Sequence, residues 1–230
     1  MKQTENSSQP KIVLAIEAAI SGGSISLLEG GIEAASWHGD AGESRGEDLL
    51  PNIAKLLEQT NIEKSSLNAV AVSNGPGSYT GIRIGLATAL GLKNALEIEC
   101  IGVSLLYSIA YAHSQLRKSI VAVPIGRDQI CLQSFERIDE SIFEVSAARS
   151  GTEGDFLNAI HGLPDFNIIL QRDLYETFSD SSDFDGLQAR IIDCGRNLAF
   201  AVGIAAQIPG LESDLQPFYV QNSRYSLVNV

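Results

Sequence analysis

The stretch that most constrains this chain is residues 67–96, LNAVAVSNGPGSYTGIRIGLATALGLKNAL. Val70 and Val72 alternate with smaller residues and predict a short, half-buried strand. Ser73-Asn74-Gly75-Pro76-Gly77-Ser78 follows as a cluster of turn formers. Within it, Gly75 and Gly77 tolerate backbone angles and close approaches that other residues resist. Ser78 or Thr80 can then cap a helix by accepting a hydrogen bond from one of its free N–H groups. Along that helix Ile82, Leu86, Ala89, Leu90 and Lys93 share one side, while Gly85, Ala87, Gly91 and Ala95 keep the remaining surface thin. A glycine inside a helix costs about 1 kcal/mol relative to alanine. Two of them imply the near approach of another backbone, either the chain's own sheet or a helix of a second protein.

The run GPGSYTGIRIGLATALGLKNAL closely resembles the signature of the TsaB (YeaZ) family, the bacterial non-catalytic partner in threonylcarbamoyladenosine synthesis on tRNA. Leu49-Leu50-Pro51, Ile101-Gly102-Val103-Ser104 and Pro217-Phe218-Tyr219-Val220 fit the same pattern. The match is close over the first half and loose over the second.

The order of elements agrees with the fold that this resemblance implies. Residues 12–16 and 25–28 predict a hairpin closed by Ser21-Gly22-Gly23-Ser24, and residues 32–37 a third strand. A glycine-rich loop at 39–46 leads to a helix over 47–59, with Leu49, Leu50, Ile53, Leu56 and Leu57 at helical spacing. Pro51 fits if it lies in the first turn, where its missing N–H costs nothing. A strand at 98–103 and an amphipathic helix at 105–116 close the first half. Strand-like runs at 120–125, 129–135 and 142–147 open a second meander. It continues with a helix at 153–160, strands at 166–170 and 190–192, and a helix at 195–207. The residues at 197–206 are almost wholly apolar, which predicts packing between lobes. Strand-strand-strand-helix-strand-helix thus occurs twice. The expected architecture is α/β: a duplicated actin-like ATPase (ASKHA, ribonuclease H-like) fold of two lobes, the second shortened. The expected division is a disordered polar extension at 1–10, a first lobe at 11–107 and a second at 108–230.

The chemistry that the residues can support is narrow. In the actin-like kinases and heat-shock proteins, the first hairpin cradles nucleotide phosphates with an Asp followed by hydroxyl-bearing residues. Here Glu17-Ala18-Ala19 occupy those positions, and the alanines offer a phosphate no hydroxyl. Glu17 reads either as a metal-facing carboxylate or as a capped strand end. Arg45-Gly46-Glu47 stand where the family commonly has a His before the Glu, and Gly126-Arg127-Asp128 where it has Asp-Ala-Arg. His38, His113 and His161 are the three histidines, and no two have helical or hairpin ligand spacing. His113 reads as a surface or capping group. There is no Gly-x-Ser-x-Gly elbow, and Cys131 and Cys194 sit in apolar runs where a thiol pKa rises. No catalytic, cofactor or metal residue is assigned. Gly75, Pro76, Gly77 and Ser78 read as a structural strand-to-helix turn rather than a phosphate loop, since they lack the P-loop lysine. Arg83 opposes the helix dipole in the first turn and calls for an acidic partner.

A net charge of −12 and a pI near 4.6, with no basic run, exclude unaided binding to nucleic acid, which needs clustered Lys and Arg. Three widely spaced cysteines suit reduced thiols, and no apolar stretch has membrane length. Residues 1–10 lack a signal peptide's apolar core, so a cytoplasmic protein is expected.

The resemblance implies a scaffold or activator subunit. It would pair with a paralogous, metal-binding threonylcarbamoyl transferase, with an ATPase subunit in the same assembly. It would meet tRNA only indirectly, and could form a homodimer when alone. The expected interface comprises Leu49, Ile53 and Leu56 of the first helix with Ile82, Leu86, Ala89 and Leu90 of the second. The competing expectation is a small ATP-dependent kinase or ATPase of the same fold.

Overall fold

The computed structural model describes residues 11–40, 45–126, 128–179, 181, 184 and 186–220. The expectations for residues 1–10, for residues 41–44 of the glycine-rich loop and for Arg127 lie outside the described residues, as do the side chains of residues 45–47.

The first half builds a five-stranded sheet. β1 (Ile12–Glu17), β2 (Ser24–Glu29) and β3 (Ile32–His38) form the meander, and β4 (Ala69–Ser73) and β5 (Glu99–Val103) add in parallel to β1, giving the order β3-β2-β1-β4-β5. The second half repeats it: β6 (Lys118–Gly126), β7 (Gln129–Ile138) and β8 (Ser141–Glu144) make the meander, and β10 (Asn167–Leu170) and β11 (Ile191–Asp193) add in parallel, with β9 (Arg149–Gly151) pairing β7. Helices α1 (Arg45–Thr60), α2 (Tyr79–Leu96) and α3 (Leu105–Ala112) serve the first copy, and α4 (Glu153–His161), α5 (Arg172–Phe178) and α6 (Leu198–Ala205) the second. The unit is therefore β-β-β-α-β-α-β-α in both halves, the duplicated actin-like fold.

Side-chain alternation explains the layers. On β1 and β4, Leu14, Ile16, Val70 and Val72 meet Leu49, Ile53, Leu56, Ile82 and Leu86 of α1 and α2. Val13, Ala15, Ala69 and Ala71 face the other way, into a core shared with Leu106 and Ile109 of α3 and Leu198 and Val202 of α6. β4 is consequently buried along its whole length, not half-buried as its alternation predicts. Val121, Val123, Cys131, Phe135 and Ile169 of the second sheet enter the same shared core. The second sheet's outer face is closed by Phe156 of α4, Phe178 of α5 and Phe184.

Several boundaries depart from the sequence expectation. α1 begins at Arg45, so Pro51 lies in the helix interior and leaves one upstream carbonyl without its helical donor. Leu50 of the predicted stripe points outward, 55% exposed. α3 ends at Ala112, where the His113 backbone N–H and Nδ1 both reach the Ile109 carbonyl, the ring nitrogen at 2.9 Å. α5 and β9 have no counterpart in the sequence reading, because seven and three residues are too short to establish a period. α6 starts three residues late: Gly195 sits at φ +76°, in the left-handed region, and Asn197 precedes the first turn. As expected, α6 lies between the sheets. A division after residue 107 would cut through α3.

Candidate functional site

The turn after β4 is held from several sides. Gly75 N–H donates to Ser73 Oγ (3.2 Å), Ser78 N–H to the Ala19 carbonyl (2.8 Å), and Leu105 N–H to the Gly75 carbonyl (2.8 Å). Gly75 takes φ +116°, and a Cβ there would lie 2.5 Å from the Phe218 carbonyl oxygen. At Gly77 a Cβ would meet the Ala19 Cβ at 2.5 Å and the Ala19 carbonyl oxygen at 2.6 Å. Gly77 and Ser78 thus lie against the first hairpin, and Gly75 against Leu105 and Phe218. Ser78 Oγ accepts from Gly81 N–H (3.3 Å) and caps α2, as one of the two capping expectations has it.

The hairpin beneath is committed to its own turn. Glu17 is 1% exposed, and its Oε1 accepts from the N–H groups of Ala19 (2.5 Å) and Ile20 (2.9 Å). Ala18 and Ala19 are buried against the residues above them, Ala18 Cβ lying 3.4 Å from where a Cβ on Gly85 would be. The two helix glycines therefore differ in their surroundings. Gly85 faces the chain's own sheet, whereas Gly91 is exposed with nothing within 4 Å of its Cβ position.

The expected interface residues need a correction. Leu49, Ile53, Leu56, Ile82, Leu86 and Ala89 are all at most 5% exposed, inside the core between the helices and the sheet. Periodicity locates an apolar stripe, and that stripe is what the sheet covers. Of the seven, Leu90 alone reaches the surface, at 36%. Around it α2 presents Thr80, Arg83, Ala87, Gly91 and Asn94 at helical spacing, and the neighbouring α1 presents Leu50, Ala54 and Glu58. Ala87 and Gly91 keep this part of the α2 surface thin.

A C-terminal strap, residues 211–220, returns to this end of the molecule. Asp214 N–H donates to the Gly102 carbonyl (3.2 Å), Gly102 N–H to Ser213 Oγ (2.9 Å), and Phe218 N–H to the Asn74 carbonyl (2.8 Å). Tyr219 stacks on Tyr79 with centroids 4.9 Å apart. Arg83 Nε donates to the Tyr219 hydroxyl (3.1 Å), and its guanidinium lies 4.0 Å from the Tyr79 ring centre. Arg83 thus meets a phenol oxygen and an aromatic face where the sequence calls for an acid. The Tyr219 hydrogen bond holds its pKa above the usual value. The sequence marked the strap only through its resemblance to a family pattern. Residues 140 positions apart carry no local period that would pair Tyr79 with Tyr219.

Among the described residues no three His, Cys, Asp or Glu side chains are placed to hold a metal ion. Burial pushes the Cys131 thiol up to about 12, away from the nucleophilic thiolate. No helix among the described residues is long and apolar enough to cross a membrane.

The family model described as TsaD, tRNA N6-adenosine threonylcarbamoyltransferase, matches residues 40–154, half of the chain. The Escherichia coli (strain K12) tRNA threonylcarbamoyladenosine biosynthesis protein TsaB is 35% identical over 134 residues, covering 57% of this chain and 58% of that protein. The chain belongs to the TsaD family, among its TsaB (YeaZ) members. The matched region spans little more than half the length of that curated relative. A solved structure of YeaZ from Pseudomonas aeruginosa superposes with a TM-score of 0.64 at 18% identity, covering 91% of this chain and all of that one. A second structure, described as an uncharacterized protein with similarity to the peptidase YeaZ from the same organism, reaches 0.66 at 17% identity over 92% of this chain and all of that one. These two likenesses establish the fold.

Proposed function

We propose that this chain is a non-catalytic subunit of tRNA threonylcarbamoyladenosine biosynthesis, which pairs with the metal-binding threonylcarbamoyl transferase and holds it in a competent arrangement. The observation that carries this reading is the exposed outer face of α2, where Ala87, Leu90 and Gly91 offer a partner helix close approach. Leu50 on adjacent α1 adds a 55% exposed apolar side chain to the same layer. The partner would be a protein of the same family, since the family model itself describes the transferase. An ATPase subunit would join the assembly. With a net charge of −12, tRNA would be held by the other subunits. Alone, the chain could use the same face to form a homodimer, because a surface made for a related subunit is readily self-complementary. In stabilising one arrangement of its partner, it would act only through its differential affinity for that arrangement.

The kinase or ATPase reading has weaker support. Ala19, at the expected phosphate hairpin, lies beneath Gly77, and the Ser78 N–H is already bound to its carbonyl.

Light scattering on a sizing column, with the chain alone and mixed with the transferase subunit from the same cell, tests the proposal. A one-to-one complex is expected, and Leu90→Glu or Gly91→Arg should abolish it without changing the melting temperature. Unchanged elution of the mixture, with micromolar Mg-ATP binding by calorimetry, would instead make the chain an ATP-using enzyme.

A further inference from the structure

The strap joins the end of the second half to the outer layer of the first. After α6 it meets β5, the edge strand of the first sheet. Asp214 N–H donates to the Gly102 carbonyl and Gly102 N–H to Ser213 Oγ, so groups that an edge strand leaves open are covered. Gly102 is what admits the strap here. A Cβ on it would run into the Asp214 carbonyl, and the nearest atoms to that position all belong to Asp214 and Leu215. Leu215 packs against the core beneath α1 and α2. Phe218 N–H then binds the Asn74 carbonyl, and Tyr219 reaches α2.

What Tyr219 reaches is the face of α2 to which the partner was assigned above. Tyr79, Arg83, Ala87 and Leu90 stand at i, i+4, i+8 and i+11, which puts them on one ridge of the helix, and all four are exposed. The strap stops short of the middle of that ridge, since nothing lies within 4 Å of the Cβ position on Gly91. It therefore adds to the surface instead of blocking it. Its contribution is the exposed rings of Phe218 and Tyr219 and a fixed pose for Arg83. Arg83 Nε is bound to the Tyr219 hydroxyl, and its guanidinium lies over the Tyr79 ring. Tyr and Arg carry much of the energy at protein interfaces, and a side chain already held in place loses less entropy on binding.

We propose that the strap is a positioning element of the partner surface: seated on β5, it holds Arg83 and Tyr79 in the pose that the related subunit binds, and the bound subunit in turn holds the strap down. This rests on the pairing proposed above and adds a second state to it, strap seated against strap lifted. Coupling of this kind is reciprocal. The factor by which seating tightens the complex is the factor by which the complex tightens seating. The connection is short and continuous, from Gly102 through Asp214 and Phe218 to Tyr219 and Arg83.

Gly102→Ala tests the coupling from a distance. The residue is buried and lies off the α2 ridge, and the added methyl meets only the strap. Tyr219→Ala releases the strap at its other end. Amide hydrogen exchange of the full chain should quicken at Asp214 and Phe218 in both variants, with the α2 amides unchanged. The Kd for the transferase subunit should rise about fivefold or more in each. In the wild-type complex, exchange at Asp214 and Phe218 should slow by a similar factor, while α4 on the other sheet exchanges as before. A wild-type complex that leaves those two amides unchanged overturns the coupling and leaves the pairing standing, and this result decides if Gly102→Ala does not fold. Full or higher affinity in Gly102→Ala with the strap lifted overturns it as well, because Tyr219 would then be a simple contact. Protection that rises with the chain's own concentration, without the transferase, would assign the ridge to a second copy and overturn it. Absence of any wild-type complex overturns the pairing and the coupling together.

Discussion

The two halves of this molecule share one topology and cover their outer faces in different ways. The first sheet carries two long helices of 16 and 18 residues, whose buried sides are aliphatic and whose far sides remain open. The second sheet carries helices of 9 and 7 residues, and fills the space with stacked Phe156, Phe178 and Phe184. Aromatic rings fill a volume on that outer face that short helices cannot. Length beyond what the core needs is surface that a second protein can use.

Breaking the comparison starts in the cores. Ile53→Asp or Leu86→Asp places an unpaired charge among side chains at most 5% exposed, and should cost about 3–5 kcal/mol or prevent folding. Loss of the Trp37 fluorescence transition together with the far-UV circular dichroism signal would report it. Phe178→Ala removes one member of the aromatic stack and should cost about 3–5 kcal/mol. Because both sheets enter one shared core, its unfolding curves by fluorescence and circular dichroism should still coincide.

Smaller effects sharpen the contrast at the edges. Gly77→Ala would put a methyl 2.5 Å from that of Ala19 and should destabilise by about 1–3 kcal/mol, measured by urea titration. In the second half, Thr152 caps α4, and Asp155 returns the bond by accepting from Thr152 N–H at 2.9 Å, so Thr152→Ala should cost about 1 kcal/mol. That bond holds the Asp155 carboxylate below its ordinary 3.8. Its support is therefore fully present at neutral pH and is lost only as acidification passes below that ordinary value, which a pH series on wild type and Asp155→Asn would separate. Leu90→Glu should change stability by less than about 0.5 kcal/mol, yet remove partner binding in the sizing experiment. A normal complex from this variant would erase the functional difference between the halves.

Much of the fold was legible because its signals are local. The β1–β2 hairpin, the Asn74–Ser78 turn and the α2 cap each depend on neighbouring residues and their spacing. Periodicity found the apolar sides of α1 and α2 equally well, but it cannot say what lies against them. Leu86 and Leu90 differ by one helical turn, and only the sheet's position decides that one is buried and the other exposed. β9, of three residues, and α5, the shortest α-helix, show no period in the sequence. The strap was hidden for another reason. Asp214 against Gly102, and Tyr219 against Tyr79 and Arg83, are pairings between the ends of the chain.

The placement of α3 and α6 governs how this molecule can move. α3 packs on the second sheet and α6 on the first, with the two helices against each other in the shared core. Two lobes joined by a free linker swing open like a door. Lobes joined through two packed helices change their angle by small sliding of one helix over the other. Motion in this chain is therefore of the shear type.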